Sequence, residues 1–202
     1  MKEVMEFLEG SLCSGIILTV LLLVIARFGK FIYEPPEKKA GRHGERIATE
    51  VIKEVLNERD VLLTNVEILC NGRRAELDNV VINDRGVFII EVKNFIGELF
   101  GEEDDAEWMK FKTSYSGEVF QKNVRNPIKQ VKRQIYLLSQ KLENHGVKLW
   151  IGGYVFLVEG NSPVKSDFIL ETRKDIERAI HQPTRNKMEG RTREKIIALL
   201  SK

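Results

Sequence analysis

Histidine and cysteine are scarce, at three and two among 202 residues. Cys13 lies in an apolar N-terminal run and Cys70 beside a turn signal, so neither a disulfide framework nor a zinc site is suggested, and both read as free thiols in a reducing compartment. His43, His145 and His181 are scattered and form no catalytic or metal cluster. An excess of one charge sign is also missing: 32 Lys and Arg face 30 Asp and Glu, and the formal net charge of +2 by itself selects no partner. There is no internal repeat and no low-complexity tract, which sets repeat architectures and compositional tails aside.

What the chain does have is the composition of a folded protein, 43% hydrophobic and 31% charged, too apolar for disorder. Its length suggests one soluble domain with an appendage. That appendage is legible: residues 10–26 carry no charge and centre on I-I-L-T-V-L-L-L-V-I. As a helix this run spans about 25 Å, slightly short of the ~30 Å hydrocarbon core. Phe28, Phe31, Ile32 and Tyr33 extend it if Arg27 and Lys30 snorkel to the interface. A cleaved signal peptide fits less well, because the start is net acidic and no small-x-small cleavage site follows. A helix buried in the globular domain would need covering all round. The expectation is a single-pass anchor over residues 1–33, contacting the lipid bilayer through 10–33. Only Lys2 is basic before the run, whereas Arg27, Lys30, Lys38, Lys39 and Arg42 follow it, which places the C-terminal bulk in the cytoplasm.

Residues 34–42, with Pro35-Pro36 and several charges, read as a short stiff linker, and 43–202 as the domain. Helical spacing runs over 44–58, with Ile47, Val51 and Val55 on one stripe and Ala48 and Ile52 beside it. Strands are expected at 61–69, 75–82, 87–92, 97–100 and 108–111, with Asn71-Gly72 as a turn and an acidic loop before Trp108. Asn126-Pro127 opens the clearest helix, whose Ile128, Val131, Ile135, Leu138 and Leu142 form one apolar face; His145-Gly146 ends it. A strand at 149–158 and short helices at 175–181 and 191–200 follow. Trp108 and Trp150 read as core residues. This order argues for an α/β (α+β) domain, a mixed sheet flanked by helices, behind an N-terminal transmembrane helix.

The informative part is one hairpin. Asp78 in E-L-D-N-V-V-I and Glu91 and Lys93 in V-F-I-I-E-V-K are separated by N-D-R-G, a turn signal. Phe88, Ile90 and Val92 share one face of the second strand; Val87, Ile89, Glu91 and Lys93 share the other. Apolar residues on both faces imply a central, doubly covered strand, where two charges at its end need partners. If Asn83 and Gly86 close the turn opposite each other, Ile82 faces Val87, Val80 faces Ile89 and Asp78 faces Glu91. Their Cβ atoms would then lie about 5 Å apart and the like charges repel; a divalent cation between them reverses the sign. A bulge at Gly86 would shift this register by one. The plainer reading is a surface hairpin whose charges merely end two strands.

At this point the chain resembles a known family. Gly44-Glu45, E-L-D-N-V-V-I, then G-V-F-I-I-E-V-K-N with Gly97 after it, Trp108, and N-P-I-K-Q at 126–130 are together similar to the nuclease-related domain (NERD) family, over about residues 41–158. The resemblance implies a restriction-endonuclease-like core in which an acid followed by Glu-x-Lys binds magnesium and cuts DNA. It also implies that Glu45 on the first helix and Gln130 on a later one belong to the site. Asn79 departs from the pattern, since a histidine is more usual there, but Asp78 still supplies the ligand.

In that reading Asp78, Glu91 and the backbone carbonyl of Val92 are ligands for Mg2+ or Mn2+, which hard oxygens suit. Lys93 orients the attacking water or stabilises charge on the phosphate; alternatively it merely pairs with Glu76. Glu45 could equally be a helix N-terminal acid favoured by the dipole, and Gln130 a polar helix flank. Lys122, Arg125, Lys129, Lys132, Arg133 and Lys141 follow one another with no acid among them, a candidate phosphate track for nucleic acid or simply a solvated face. The functional expectation is a membrane-anchored, Mg2+-dependent nuclease acting on DNA. The alternatives are a catalytically silent module tethering nucleic acid or protein to the membrane, and a membrane-associated structural or signalling protein.

Overall fold

The computed structural model describes residues 18–20, 23–24, 27, 35–114, 116–183 and 187–201. Contacts divide the chain into two compact units, Met1–Ala40 and Gly41–Lys202. In the first, residues 18–20, 23–24 and 27 are helical. The rest of the span expected over 10–33 lies outside the described residues, and among the described residues no helix is long and apolar enough to cross a membrane.

Helix α1 (Pro36–Val55) begins well before the expected start at Gly44, so residues 36–42 form its first turns. The reason is local: proline suits the first helical position, and the amides of Lys38 and Lys39 donate to the carbonyl of Pro35. Strands β1 (Val61–Cys70) and β2 (Arg73–Asn83) are antiparallel and joined at Asn71-Gly72. Both turn residues have positive φ, 50° and 72°, as a two-residue hairpin loop requires. Strand β3 (Gly86–Lys93) pairs with β2 in the expected register: Asn83 opposes Gly86, Ile82 opposes Val87 and Val80 opposes Ile89.

The chain then leaves this sheet. Strands β4 (Glu98–Phe100), β5 (Glu107–Thr113) and β6 (Val119–Arg125) make a separate antiparallel sheet. Helix α2 (Pro127–Glu143) follows, capped by Asn126, whose side chain accepts from the amide of Ile128. Beyond it Gly146 sits at φ 72°. Strand β7 (Ile151–Leu157) returns parallel to β3, and the two-residue β8 (Ile169–Leu170) pairs parallel with β7. Helices α3 (Arg173–His181) and α4 (Gly190–Leu200) complete the unit.

The result is a mixed five-stranded sheet, ordered β1-β2-β3-β7-β8, with helices on both faces. Val80, Ile82, Val87, Ile89 and Val155 pack with Ile128, Val131, Leu138 and Leu142 of α2 and with Ile196 and Leu200 of α4. On the other face Val81, Phe88, Ile90, Val92 and Phe156 pack with Ala48, Ile52 and Val55 of α1 and with Ile176 and Ile180 of α3. Strand β3 is therefore central and covered on both sides, as its unbroken apolar run demands. Trp108 is wholly buried, but Trp150 is 65% exposed, contrary to the core role expected of it. It precedes β7, outside the ladder, and its ring stands nearly perpendicular to that of Phe88, ring centres 6.0 Å apart.

Candidate functional site

The end of β3 gathers charge that a buried strand cannot carry alone. Glu91 is 2% exposed. Its Oε1 accepts from Lys93 Nζ at 2.5 Å and from Gln130 Nε2 at 2.6 Å, and its Oε2 from Gln134 Nε2 at 2.6 Å. Three donors around one carboxylate offset much of the desolvation of a buried charge. The glutamines reach it because they lie four apart on α2, one turn along the same helix flank. Gln134 Nε2 also donates to the carbonyl of Glu76, which ties α2 to β2. The alternative pairing of Lys93 with Glu76 does not form; Lys93 is paired with Glu91.

Asp78 approaches from β2. The regular ladder stops at Asn79 opposite Ile90, and the next hydrogen bond runs from the Val92 amide to Asp78 Oδ2 at 2.8 Å. The aspartate thus takes the place of a strand residue and is fixed beside Glu91. Burial, then the negative charge of Glu91, pushes the Asp78 carboxyl up to about 7, against the opposing pull of the Val92 amide and Lys93; Glu45 adds to the rise. Two like charges at one strand end are the arrangement anticipated from the hairpin register.

Glu45 reaches this neighbourhood from α1. It stands in the interior of a helix that begins at Pro36, which removes the reading of it as a dipole-stabilised first-turn acid. The preceding Gly44 explains how the helix comes so near: a Cβ there would lie 2.5 Å from Asn94 Cβ, in the segment directly after Lys93. One turn on, Thr49 Oγ1 donates to Asn79 Oδ1 at 3.1 Å. Asn79 points to the opposite face of β2 from Asp78, so its departure from the usual histidine changes the α1 packing and leaves the carboxylate pair untouched.

The structure therefore joins Glu45, Asp78, Glu91, Val92, Lys93 and Gln130, and adds Gln134, which the sequence reading missed. The signal was available in the spacing, since Gln134 stands one helical turn after Gln130. The basic run is not joined. Lys122 and Arg125 are on β6, three residues apart and so on opposite faces of a strand; Arg125 opposes Glu107. Lys129, Lys132 and Arg133 share an exposed flank of α2, where Lys132 pairs with Glu103 at 3.2 Å and lies 4.6 Å from the ring centre of Phe168. Arg133 donates to the carbonyl of Arg74.

Among the described residues no three His, Cys, Asp or Glu converge in a metal cage. Asp78 and Glu91 nevertheless fit a hard divalent cation. Mg2+ commonly takes one or two carboxylates and completes its shell with water and substrate phosphate, and a cation beside these residues would offset the burial and the repulsion that together raise Asp78.

The family model for the nuclease-related domain matches residues 40–158, a stretch that contains Gly44, the hairpin, Trp108 and both glutamines. An uncharacterized protein of Bacillus anthracis is 26% identical over 126 residues, covering 61% of this chain and 58% of that protein. The chain thus spans less than two thirds of that relative's length. No solved structure matches the chain.

Proposed function

The chain belongs to the nuclease-related domain family, and from that premise we propose that it hydrolyses phosphodiester bonds of nucleic acid, DNA in the first place, on a core of restriction-endonuclease type. The observation that carries this reading is the buried Asp78–Glu91 pair at the end of the central strand, with Lys93 and two glutamines fixed on it. Asp78, Glu91 and the Val92 carbonyl would hold Mg2+ or Mn2+. When bound, such an ion polarises the scissile phosphate and lowers the pKa of a coordinated water. Lys93, 23% exposed at its side chain, can swing its ammonium from Glu91 to charge developing on the phosphate. Gln130 and Gln134 hold the Glu91 carboxylate in one orientation, and Glu45 receives a proton or orders a water beside Asp78.

The test is cleavage of supercoiled plasmid and of single-stranded oligonucleotide with Mg2+, Mn2+ or EDTA. Asp78→Ala, Glu91→Ala and Lys93→Ala should each abolish product while leaving the circular dichroism spectrum unchanged. Three variants that cut as well as the wild type would sink the proposal. A second reading, a catalytically silent binding module, draws on the Lys93–Glu91 ion pair, which already satisfies both partners; it predicts salt-dependent binding with no metal-dependent product. We further propose that residues 10–33 tether the domain to a bilayer on its cytoplasmic side. Release from membranes by carbonate would overturn that tether.

A further inference from the structure

The small sheet beside the site has two unlike faces. In its register Leu99 opposes Lys110, Lys110 opposes Lys122, Trp108 opposes Val124 and Lys112 opposes Phe120. Opposed residues share a face, and so do residues two apart. Leu99, Trp108 and Val124 take one end of this face into the core. The same face continues outward as Lys110, Lys112, Lys122 and Phe120. Both acids within these strands, Glu98 and Glu107, fall on the other face, with Phe100, Met109 and Phe111.

The position of this lysine face matters. Lys110 Nζ lies 5.8 Å from the centre of the Phe95 ring, and Phe95 follows Lys93 by two residues. The Phe95 segment is itself pinned, because Asn161 Nδ2 donates to the carbonyls of Phe95 and Gly97 at 2.7 Å each. Gly97 lets β5 come close: a Cβ there would lie 2.1 Å from the Phe111 carbonyl oxygen. The β5–β6 hairpin is thus held against the segment leaving the candidate site. Lys110 and Lys122 stand directly opposite each other and with Lys112 set three ammonium groups on one face, which suits an anionic ligand. Phe120, opposite Lys112, is 56% exposed and offers an aromatic surface between cations.

We propose that this face of the β5–β6 hairpin binds single-stranded nucleic acid and leads it to Glu91, Lys110, Lys112 and Lys122 contacting phosphates and Phe120 stacking on a base. Lysines set among an exposed aromatic are the combination that binds single strands without sequence preference, and a paired duplex has no base free to stack on Phe120. The inference rests on the nuclease reading for the identity of the polyanion, and it moves the nucleic-acid contact from the α2 flank to a hairpin of which only Lys122 and Arg125 were suspected.

The test is fluorescence anisotropy of the full-length chain in detergent with EDTA present, using a labelled 20-nucleotide single strand and the matching duplex, so that binding is read without cutting. The triple variant Lys110→Gln/Lys112→Gln/Lys122→Gln should bind the single strand at least about tenfold more weakly and show a log K against log salt slope shallower by about 2, given about 0.7 per phosphate contact. Phe120→Ala should lose roughly tenfold for the single strand and nothing for the duplex. Lys112, Phe120 and Lys122 are exposed and Lys110 half-buried, and thermal melting checks that each variant folds. Unchanged affinity and slope in the triple variant, or equal loss for strand and duplex in Phe120→Ala, overturns the inference. The two claims separate cleanly. A wild type that binds through the hairpin but yields no product with Mg2+ defeats the nuclease reading alone. A triple variant that binds and cuts like the wild type defeats the hairpin alone.

Discussion

Asp78 is a residue held at a cost. Its folded carboxyl titrates at about 7, far above the ordinary aspartate value, so the folded state takes up a proton that the unfolded chain does not. Stability from this group is present below its unfolded value and is lost as pH rises towards 7. Asp78→Asn removes the charge while keeping an oxygen to accept from the Val92 amide. In EDTA the variant should melt with the wild type near pH 3.5 and become more stable by roughly 2–4 kcal/mol at pH 8; equal melting curves at pH 8 would show that neither burial nor the charge of Glu91 penalises the Asp78 carboxylate. Gln134 works in the opposite sense. Its amide serves both Glu91 and the Glu76 carbonyl, so Gln134→Leu strands the buried Glu91 Oε2 and removes the partner of a part-buried carbonyl, and should cost roughly 1–3 kcal/mol in urea unfolding. A loss below about half a kcal/mol would mean that water replaces the amide.

Among elements, α1 offers a test whose sign is diagnostic. Gly44 is helical, and replacing glycine by alanine inside a helix ordinarily stabilises by about 1 kcal/mol. Here the new methyl would meet Asn94 Cβ at 2.5 Å, a contact between a helix and the segment after Lys93 that neither can relieve by turning a side chain. Gly44→Ala should therefore lower the urea midpoint and weaken the site together, and a raised midpoint would refute the close approach. The same comparison shows what could be read in the chain. The β2–β3 hairpin was legible because apolar residues on both faces and a four-residue turn signal leave few registers, and α2 because its cap, its proline and its apolar stripe agree. Strand β6 was not legible: nearly all of it is exposed, so no alternation of apolar and polar residues marks it. Strand β8 is too short to carry a pattern. The start of α1 was hidden because Pro35-Pro36 reads as a linker until one sees that the second proline occupies a first helical position. Trp150 misled because large aromatics are usually buried, and its exposure depends on where β7 enters the sheet, which is tertiary information.

At the scale of the whole domain, the candidate site lies at the carboxyl end of β3, beside the carboxyl end of its parallel neighbour β7, with α1 and α2 closing from opposite faces. Open α/β sheets place ligands at that end, because strands stop there while the flanking helices and loops bring polar groups past the apolar layer. Here the layer ends with Glu91, and the two faces contribute Glu45 from one side and Gln130 and Gln134 from the other. A cation bound at this junction touches β2 and β3 together, so it should act on global stability and not only on a loop. At a concentration about 100-fold above its dissociation constant a ligand specific for the folded state adds about 2.7 kcal/mol, which for a chain of this size corresponds to a rise in melting temperature of about 5–10 °C. The rise should appear with Mg2+ or Mn2+ at pH 8, vanish in Asp78→Asn, and fade towards pH 5 as Asp78 takes up the proton that competes with the metal. Stabilisation by Asp78→Asn without metal and loss of metal stabilisation in the same variant would together tie the cost of the buried Asp78 charge to the ion site. A rise that persists in Asp78→Asn would place the cation elsewhere, and would leave the buried pair as a purely structural feature of the hairpin.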